Sequence, residues 1–372
     1  MKKNIIVSVL IAFLVFLAVI FPCVTPADAK AESVTGIAVI ERDSGRLLYS
    51  SDANKRMPMA STTKIATCIT VIEHCDDLDR VITVPDSAVG VEGSSVYLKR
   101  GEKISIRDLL YGLMLRSGND CATALALTVS DSVADFARLM NDIATKAGAT
   151  DTNFVNPHGL HCEGHYTTAY DLAKISAYAM KNEVFRKIVS TKSIRISEGE
   201  ENFRVLLNKN KMLTLFEGAD GIKTGFTKRA GRCLVSSATR NGMNVICVVL
   251  NCPDMFERSQ TLLSRAFDEY EKIDILQMGT VSMATVNNGK SENTDLAVMK
   301  SFSYPLKKEE KERIKIVIEG VENMVAPVKK ETKNGKIQVF LDKQLIFSDN
   351  LYTIYNVESK TFWDKLKDLL QN

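Results

Sequence analysis

Three short segments of this chain carry side chains suited to nucleophilic catalysis: Ser61-Thr62-Thr63-Lys64, Ser117-Gly118-Asn119 and Lys223-Thr224-Gly225. A serine hydroxyl attacks a carbonyl only when a neighbouring base takes its proton, and Lys64 follows Ser61 by one helical turn, so their side chains can meet. A lysine amine is protonated in neutral water and becomes a base only where burial or nearby positive charge lowers its pKa. Lys223 offers that charge, while Ser117 and Asn119 can complete a hydrogen-bond network that carries the proton to a leaving nitrogen. Lys223 and Thr224 also suit a substrate carboxylate. Gly225, with no side chain, would let a substrate backbone lie against a strand edge. The backbone amides of Ser61 and Phe226 are candidate oxyanion donors, each worth about 3 to 4 kcal/mol in barrier height.

Each segment alone has an ordinary explanation as a helix cap, a turn or a surface charge. The tetrapeptide Ser61 to Lys64 is the only Ser-x-x-Lys in the chain, whereas a Ser-x-Asn triplet recurs at Ser291-Glu292-Asn293. The weight rests on their order and on the elements that must carry them. Asp43-Ser44-Gly45 between two apolar runs predicts an opening hairpin. Pro58 precedes Ser61, and Ile65, Ile69 and Ile72 recur at helical spacing, which puts Ser61 at a helix N-terminus. Ser105 can cap a helix whose stripe is Ile106, Leu109, Leu110, Leu113 and Met114, ending just before Ser117; the second motif is therefore expected on a loop between helices. Asn241-Gly242 joins two strand-like runs, Leu234 to Thr239 and Met243 to Leu250, so the third motif falls among strands. Strands, then helices, then strands predict an α+β domain with helices packed on an antiparallel sheet.

The 372 residues, 45% of them apolar, can bury a large core and suit two domains. Met1-Lys2-Lys3-Asn4, the apolar run Ile5 to Pro22 and the small-residue site Ala27-Asp28-Ala29 read as a secretory signal over residues 1–29. An uncleaved membrane anchor is the alternative. The full chain has 48 basic and 45 acidic residues, and this balance gives no electrostatic case for nucleic acid. Of eight cysteines, Cys23 leaves with the signal. The odd number remaining cannot all pair, several sit in apolar runs, and no disulfide framework is expected. Catalytic segments occupy 30–273. From about Asp274 to residue 357, alternation in Ile314 to Ile318 and Ile337 to Leu341, with Asn334-Gly335 as a turn, predicts a small all-β domain. Lys307 to Arg313 reads as a solvated mixed-charge segment. Residues 358–372 place Phe362, Trp363, Leu366, Leu369 and Leu370 opposite charged residues, an amphipathic helix suited to a membrane interface or to docking on its own domain.

With these segments together, the chain resembles the serine-type D-alanyl-D-alanine carboxypeptidases, low-molecular-mass penicillin-binding proteins. Asp220-Gly221-Ile222, Asn156-Pro157-His158-Gly159-Leu160 and Thr167 to Ala173 resemble family segments too. The resemblance implies a penicillin-binding/β-lactamase-like transpeptidase domain, then the β-domain, and an exported enzyme at the outer face of the cell membrane. It implies removal of the terminal D-alanine from peptidoglycan stem peptides through an acyl-Ser61 intermediate, without cofactor or metal, and covalent inhibition by β-lactams. Ser61 would be the nucleophile, Lys64 the base, Ser117 and Asn119 the second element, Lys223 the carboxylate and proton-network partner. Phe226 stands where many relatives carry histidine.

A class A β-lactamase would share these motifs but needs a further glutamate for its deacylating water, and no Glu-x-x-Leu-Asn segment lies between the second and third motifs. A catalytically silent wall scaffold is the other alternative. The cluster His158, His161, Cys162 and His165 contains zinc-type ligands at a spacing that matches no common site, and a loop bordering the cleft is the plainer reading. Arg258 is a candidate for a substrate carboxylate.

Overall fold

The computed structural model describes residues 34–198 and 202–371. The predicted signal segment lies outside them. The chain opens with β1 (Gly36–Glu41) and β2 (Leu47–Ser51), the expected hairpin. Two small hairpins follow, β3 (Val81–Thr83) with β4 (Lys103–Ser105) and β5 (Ser193–Glu198) with β6 (Asn202–Leu207). Strands β7 (Ala219–Thr227), β8 (Gly231–Arg240) and β9 (Met243–Leu250) then join the first two in an antiparallel sheet of order β2-β1-β9-β8-β7. At the β8–β9 turn Asn241 and Gly242 both have positive φ, 48° and 75°, as a tight hairpin requires.

Strand β9 is buried along its whole length. Successive side chains of a strand point to opposite faces, and here both faces meet a core. Ile246, Val248 and Leu250 pack into the larger helical core with Ile65, Ile69 and Leu110. Val245, Cys247 and Val249 pack on the other side with Leu263 and Ala266 of the helix Met255–Glu269. The sheet is thus sandwiched between helical layers, which accounts for the continuous apolar run in a strand of an antiparallel sheet. The motif-bearing strand β7 lies at the sheet edge, where one side of its backbone has no strand neighbour.

Downstream, β10 (Glu271–Leu276) pairs with β13 (Phe302–Leu306). Between and after them, β11 (Gly279–Asn287), β12 (Asn293–Val298), β14 (Ile314–Glu319), β15 (Met324–Val325), β16 (Lys333–Leu341) and β17 (Gln344–Thr353) form a six-stranded sheet. One sequence expectation fails here and a second holds only in part. Asn334-Gly335 is not a turn between strands but a bulge inside β16. The Asn334 amide donates to Glu322 O at 2.9 Å and accepts from Glu322 N–H at 3.0 Å, so it stitches a neighbouring loop in place of a backbone pair. Lys307 to Arg313 is not wholly solvated either. Glu310 is buried and takes both arms of the Arg46 guanidinium, at 2.5 and 2.9 Å, while Arg46 stacks against Tyr270 and Tyr304. A partner 264 residues away cannot be read from a local charge pattern.

Candidate active site

Ser61 sits in a single 3-10 turn, Ala60–Thr63, that runs directly into the helix Lys64–His74. Ala60 holds a φ of 49°, a left-handed conformation that costs a non-glycine residue about 1 to 2 kcal/mol and here aims the turn. The first turn of the helix buries Lys64 completely. Its Nζ lies 3.1 Å from Ser61 Oγ, 2.7 Å from Asn119 Oδ1 and 2.6 Å from the backbone oxygen of His158. A neutral amine has two N–H bonds and one lone pair. The two oxygens that can only accept take the N–H bonds, and the lone pair is left facing the serine hydroxyl. That is the arrangement a general base needs.

Each acceptor is fixed by its own partners. The Asn119 amide cannot be turned around, because its Nδ2 donates to the Glu92 carbonyl. Asn119 opens the helix Asn119–Val129, with its backbone N–H bonded to Ser94 O. The buried Asp120 carboxylate collects Ser95 Oγ and the N–H groups of Val96 and Leu98, closing the loop 92–98 onto the second motif. Ser117 lies between a π-helical turn, Gly112–Arg116, and that helix, with φ 65°; the motif bridges two helices as expected, its asparagine belonging to the second. The Ser117 hydroxyl has no hydrogen-bond partner among the described residues and lines the cleft.

The His158 carbonyl is held by the segment Asn156 to Leu160. Asn156 Oδ1 accepts from Gly159 N–H at 2.7 Å, and Thr67 Oγ1 donates to Pro157 O at 2.6 Å. Gly159 has φ 86°, and a Cβ there would fall 1.9 Å from Ala60 O, so only glycine lets this loop press on the turn that carries Ser61. Sequence reasoning placed the loop at the cleft border and missed that its backbone oxygen meets the Lys64 amine. His165 is equally structural. Its Nδ1 accepts from Val155 N–H at 3.0 Å; its Nε2 lies 2.9 Å from Thr63 Oγ1, which itself donates to Ala60 O. Burial, then His161, lowers its pKa to about 4, a neutral ring with both nitrogens engaged. Among the described residues no cluster could hold a metal ion.

Lys223 is 1% exposed and its Nζ donates to Thr224 O at 2.9 Å. Thr224, Gly225 and Phe226 line the cleft; Lys223 stands behind it. Two lysines in one dry region make each other's protonation costly. Burial first, and Lys223 second, push Lys64 well below the ordinary amine range; burial, then Lys209, brings Lys223 to about 7. Gly225 has a packing reason in addition to the one its sequence suggested. A Cβ there would lie 3.1 Å from Met59 O and 3.2 Å from the amides of Ser61 and Thr62, so the missing side chain admits the turn that carries Ser61. Arg258 pairs with Asp254 and does not line the cleft. Lys209, Lys211 and Arg232 do, and no motif had marked them.

A sequence profile described as D-alanyl-D-alanine carboxypeptidase matches residues 23–254. The chain belongs to that family. A second profile, penicillin-binding protein 5 C-terminal domain, matches residues 270–359. The D-alanyl-D-alanine carboxypeptidase DacF of Bacillus subtilis (strain 168) is 31% identical over 325 residues, 85% of this chain and 84% of the relative. The D-alanyl-D-alanine carboxypeptidase DacC of Escherichia coli (strain K12) is 31% identical over 361 residues, 92% and 89% of the two chains. The crystal structure of penicillin binding protein 5 from Haemophilus influenzae superposes with a TM-score of 0.75 at 28% identity, covering 88% of this chain and 98% of that one. This chain is a serine-type D-alanyl-D-alanine carboxypeptidase with the catalytic domain and all-β domain of its family. The β-lactamase and silent-scaffold alternatives find no support in these matches.

The lysine pair of this carboxypeptidase makes a signed prediction. Lys223→Gln removes a charge that depresses Lys64, so Lys64 stays protonated to higher pH. The acidic limb of benzylpenicillin acylation is expected to move up by about one pH unit. A limb that stays in place, measured by stopped-flow acylation across the pH range, removes Lys223 from the tuning of the base.

Proposed function

We propose that Ser61 Oγ attacks the carbonyl of the penultimate D-alanine of a peptidoglycan stem while Lys64 Nζ takes its proton. The observation that carries this reading is the buried Lys64 Nζ 3.1 Å from Ser61 Oγ, its other two partners, Asn119 Oδ1 and the His158 oxygen, being acceptors only. The amides of Ser61 and Phe226 receive the oxyanion; the closeness of Gly225 to the Ser61 amide supports the pairing of these two donors. As the carbon–nitrogen bond breaks, the proton held by Lys64 passes through the Ser117 hydroxyl to the departing D-alanine nitrogen. Water then cleaves the acyl-serine. Lys223 tunes this transfer from behind Thr224 rather than meeting solvent, and Thr224 hydrogen-bonds the substrate. A β-lactam follows the same first steps and remains attached to Ser61.

Ser61→Ala is expected to abolish both D-alanine release and the penicillin adduct while near-UV circular dichroism stays native. Release from a diacyl-Lys-D-Ala-D-Ala peptide at the native rate would remove Ser61 as nucleophile; intact-protein mass spectrometry reports the adduct on the same samples.

The mature chain runs from Lys30, with its catalytic part to 273, the β-domain over 274–357, and a tail, 358–372, that holds the exported enzyme at the outer membrane surface. The tail helix, Phe362–Gln371, is capped by Thr361, whose Oγ1 accepts from Asp364 N–H at 3.2 Å. Phe362 and Trp363 are 72% and 69% exposed, an unpartnered aromatic pair beside Lys365 and Lys367. No helix among the described residues is long and apolar enough to cross a membrane, and the exposed aromatic pair of the amphipathic tail supports binding at the interface. Deleting residues 362–372 is expected to release the protein from anionic liposomes in a sedimentation assay while peptide hydrolysis persists. Unchanged sedimentation would contradict the anchor.

A further inference from the structure

Strand β8 begins beside the cleft, where Arg232 pairs with Phe226, and ends at Arg240. At about 3.3 Å per residue, Arg240 lies roughly 26 Å from the cleft. There a second cavity, of about 690 Å³, opens between the β8–β9 turn, the end of the helix Met255–Glu269 and the β-domain segment 306–311. Its volume is that of a small-molecule site. The Arg240 guanidinium is held in the wall, 4.4 Å from the centre of the Phe216 ring and 5.1 Å from that of Phe267, two rings that stack on each other. Its Nε donates to Glu217 O at 3.1 Å, and the four N–H bonds of its terminal nitrogens have no partner among the described residues.

Three carboxylates line the same cavity, yet none pairs with Arg240. Glu269 is held by Arg265 at 2.6 Å and Lys307 at 3.0 Å, and Glu271 by Lys311 at 2.6 Å. Asp268 has no ion-pair partner among the described residues. Of the lining lysines, Lys272 is committed to Asp43 at 2.9 Å, whereas the exposed Lys308 is unpaired among the described residues. The uncommitted groups are therefore a stacked guanidinium fork, a lysine and a carboxylate, with Met243, Phe267 and Leu306 as apolar surface in the same lining. A bare anion would meet the two cations but also the repulsion of the carboxylates. Hydroxyl groups turn those carboxylates into acceptors, and ring carbons suit the apolar surface. We infer that this cavity binds an anionic saccharide, its acid group on Arg240 and Lys308 and a hydroxyl donated to Asp268. The site is separate from Ser61 and does not depend on the reaction proposed there.

Titration calorimetry on the mature chain tests this with glucuronate and glucose 6-phosphate, against glucose, acetate and inorganic phosphate. The two acidic sugars are expected to bind about tenfold more tightly than any of the three controls. A disaccharide containing glucuronate separates the sources of this chemistry: tighter binding than glucuronate itself points to a glycan chain, equal binding to a free sugar acid. Arg240→Gln is expected to weaken glucuronate binding about tenfold and Lys308→Gln about threefold. Lys308 is exposed, so its variant remains informative even if loss of the stacked Arg240 disturbs folding. Binding is expected to persist after treatment with benzylpenicillin. No binding of either acidic sugar, equal binding of glucose, or equal binding of acetate and phosphate overturns the proposal. So does glucuronate binding that is lost on penicillin treatment or left unchanged by both substitutions.

Discussion

Two lysine amines are buried within one catalytic core, and they cannot both carry a proton there cheaply. Removing a single unpaired charge from water costs several kcal/mol, and a second like charge nearby adds to it. Burial, then Lys223, favours the neutral form of Lys64, whose Nζ meets Asn119 Oδ1 and the His158 backbone oxygen. What would be a defect elsewhere in a core becomes, in the proposed mechanism, the source of reactivity, because a neutral Lys64 amine 3.1 Å from Ser61 Oγ can take its proton. In the proposed mechanism the base of Ser61 is Lys64.

The rest of the domain serves to hold three backbone-positioned groups around that amine. The edge strand β7 brings Gly225 against the turn that carries Ser61. The loop 92–98, gathered by Asp120, orients the Asn119 amide. The loop 156–160, tightened by Asn156 and admitted by Gly159, delivers the His158 carbonyl. These contacts join elements far apart in the chain, so the site exists only when the sandwich around β9 is closed. The all-β domain is tied to this assembly through Arg46, whose guanidinium is shared between Glu310, Pro305 O and two tyrosine rings.

The sequence made the reacting side chains legible because their chemistry is local: a serine one turn before a lysine, and turn and strand signals around the other two motifs. The hairpins at Asp43-Ser44-Gly45 and Asn241-Gly242 were legible for the same reason. The packing reason for Gly225 was not, since it depends on Met59 and Ser61 approaching from another element. The role of the His158 backbone oxygen was likewise invisible, because every residue has that atom. Arg232 went unmarked while Arg258 was singled out; alternation along β8 puts Arg232 opposite Phe226, and helix geometry gives Arg258 to Asp254. Asn334 shows the converse, a turn-type residue used as a side-chain bridge inside a strand.

The protonation state of Lys64 decides the account. In protein labelled with 13C at lysine Cε, the Lys64 resonance, identified by its loss in Lys64→Met, can be followed by NMR as pH is raised. The account predicts a titration midpoint well below that of the surface lysines. A Lys64 midpoint at the ordinary lysine value of about 10.4 would mean that the amine is charged at working pH and does not act as the base.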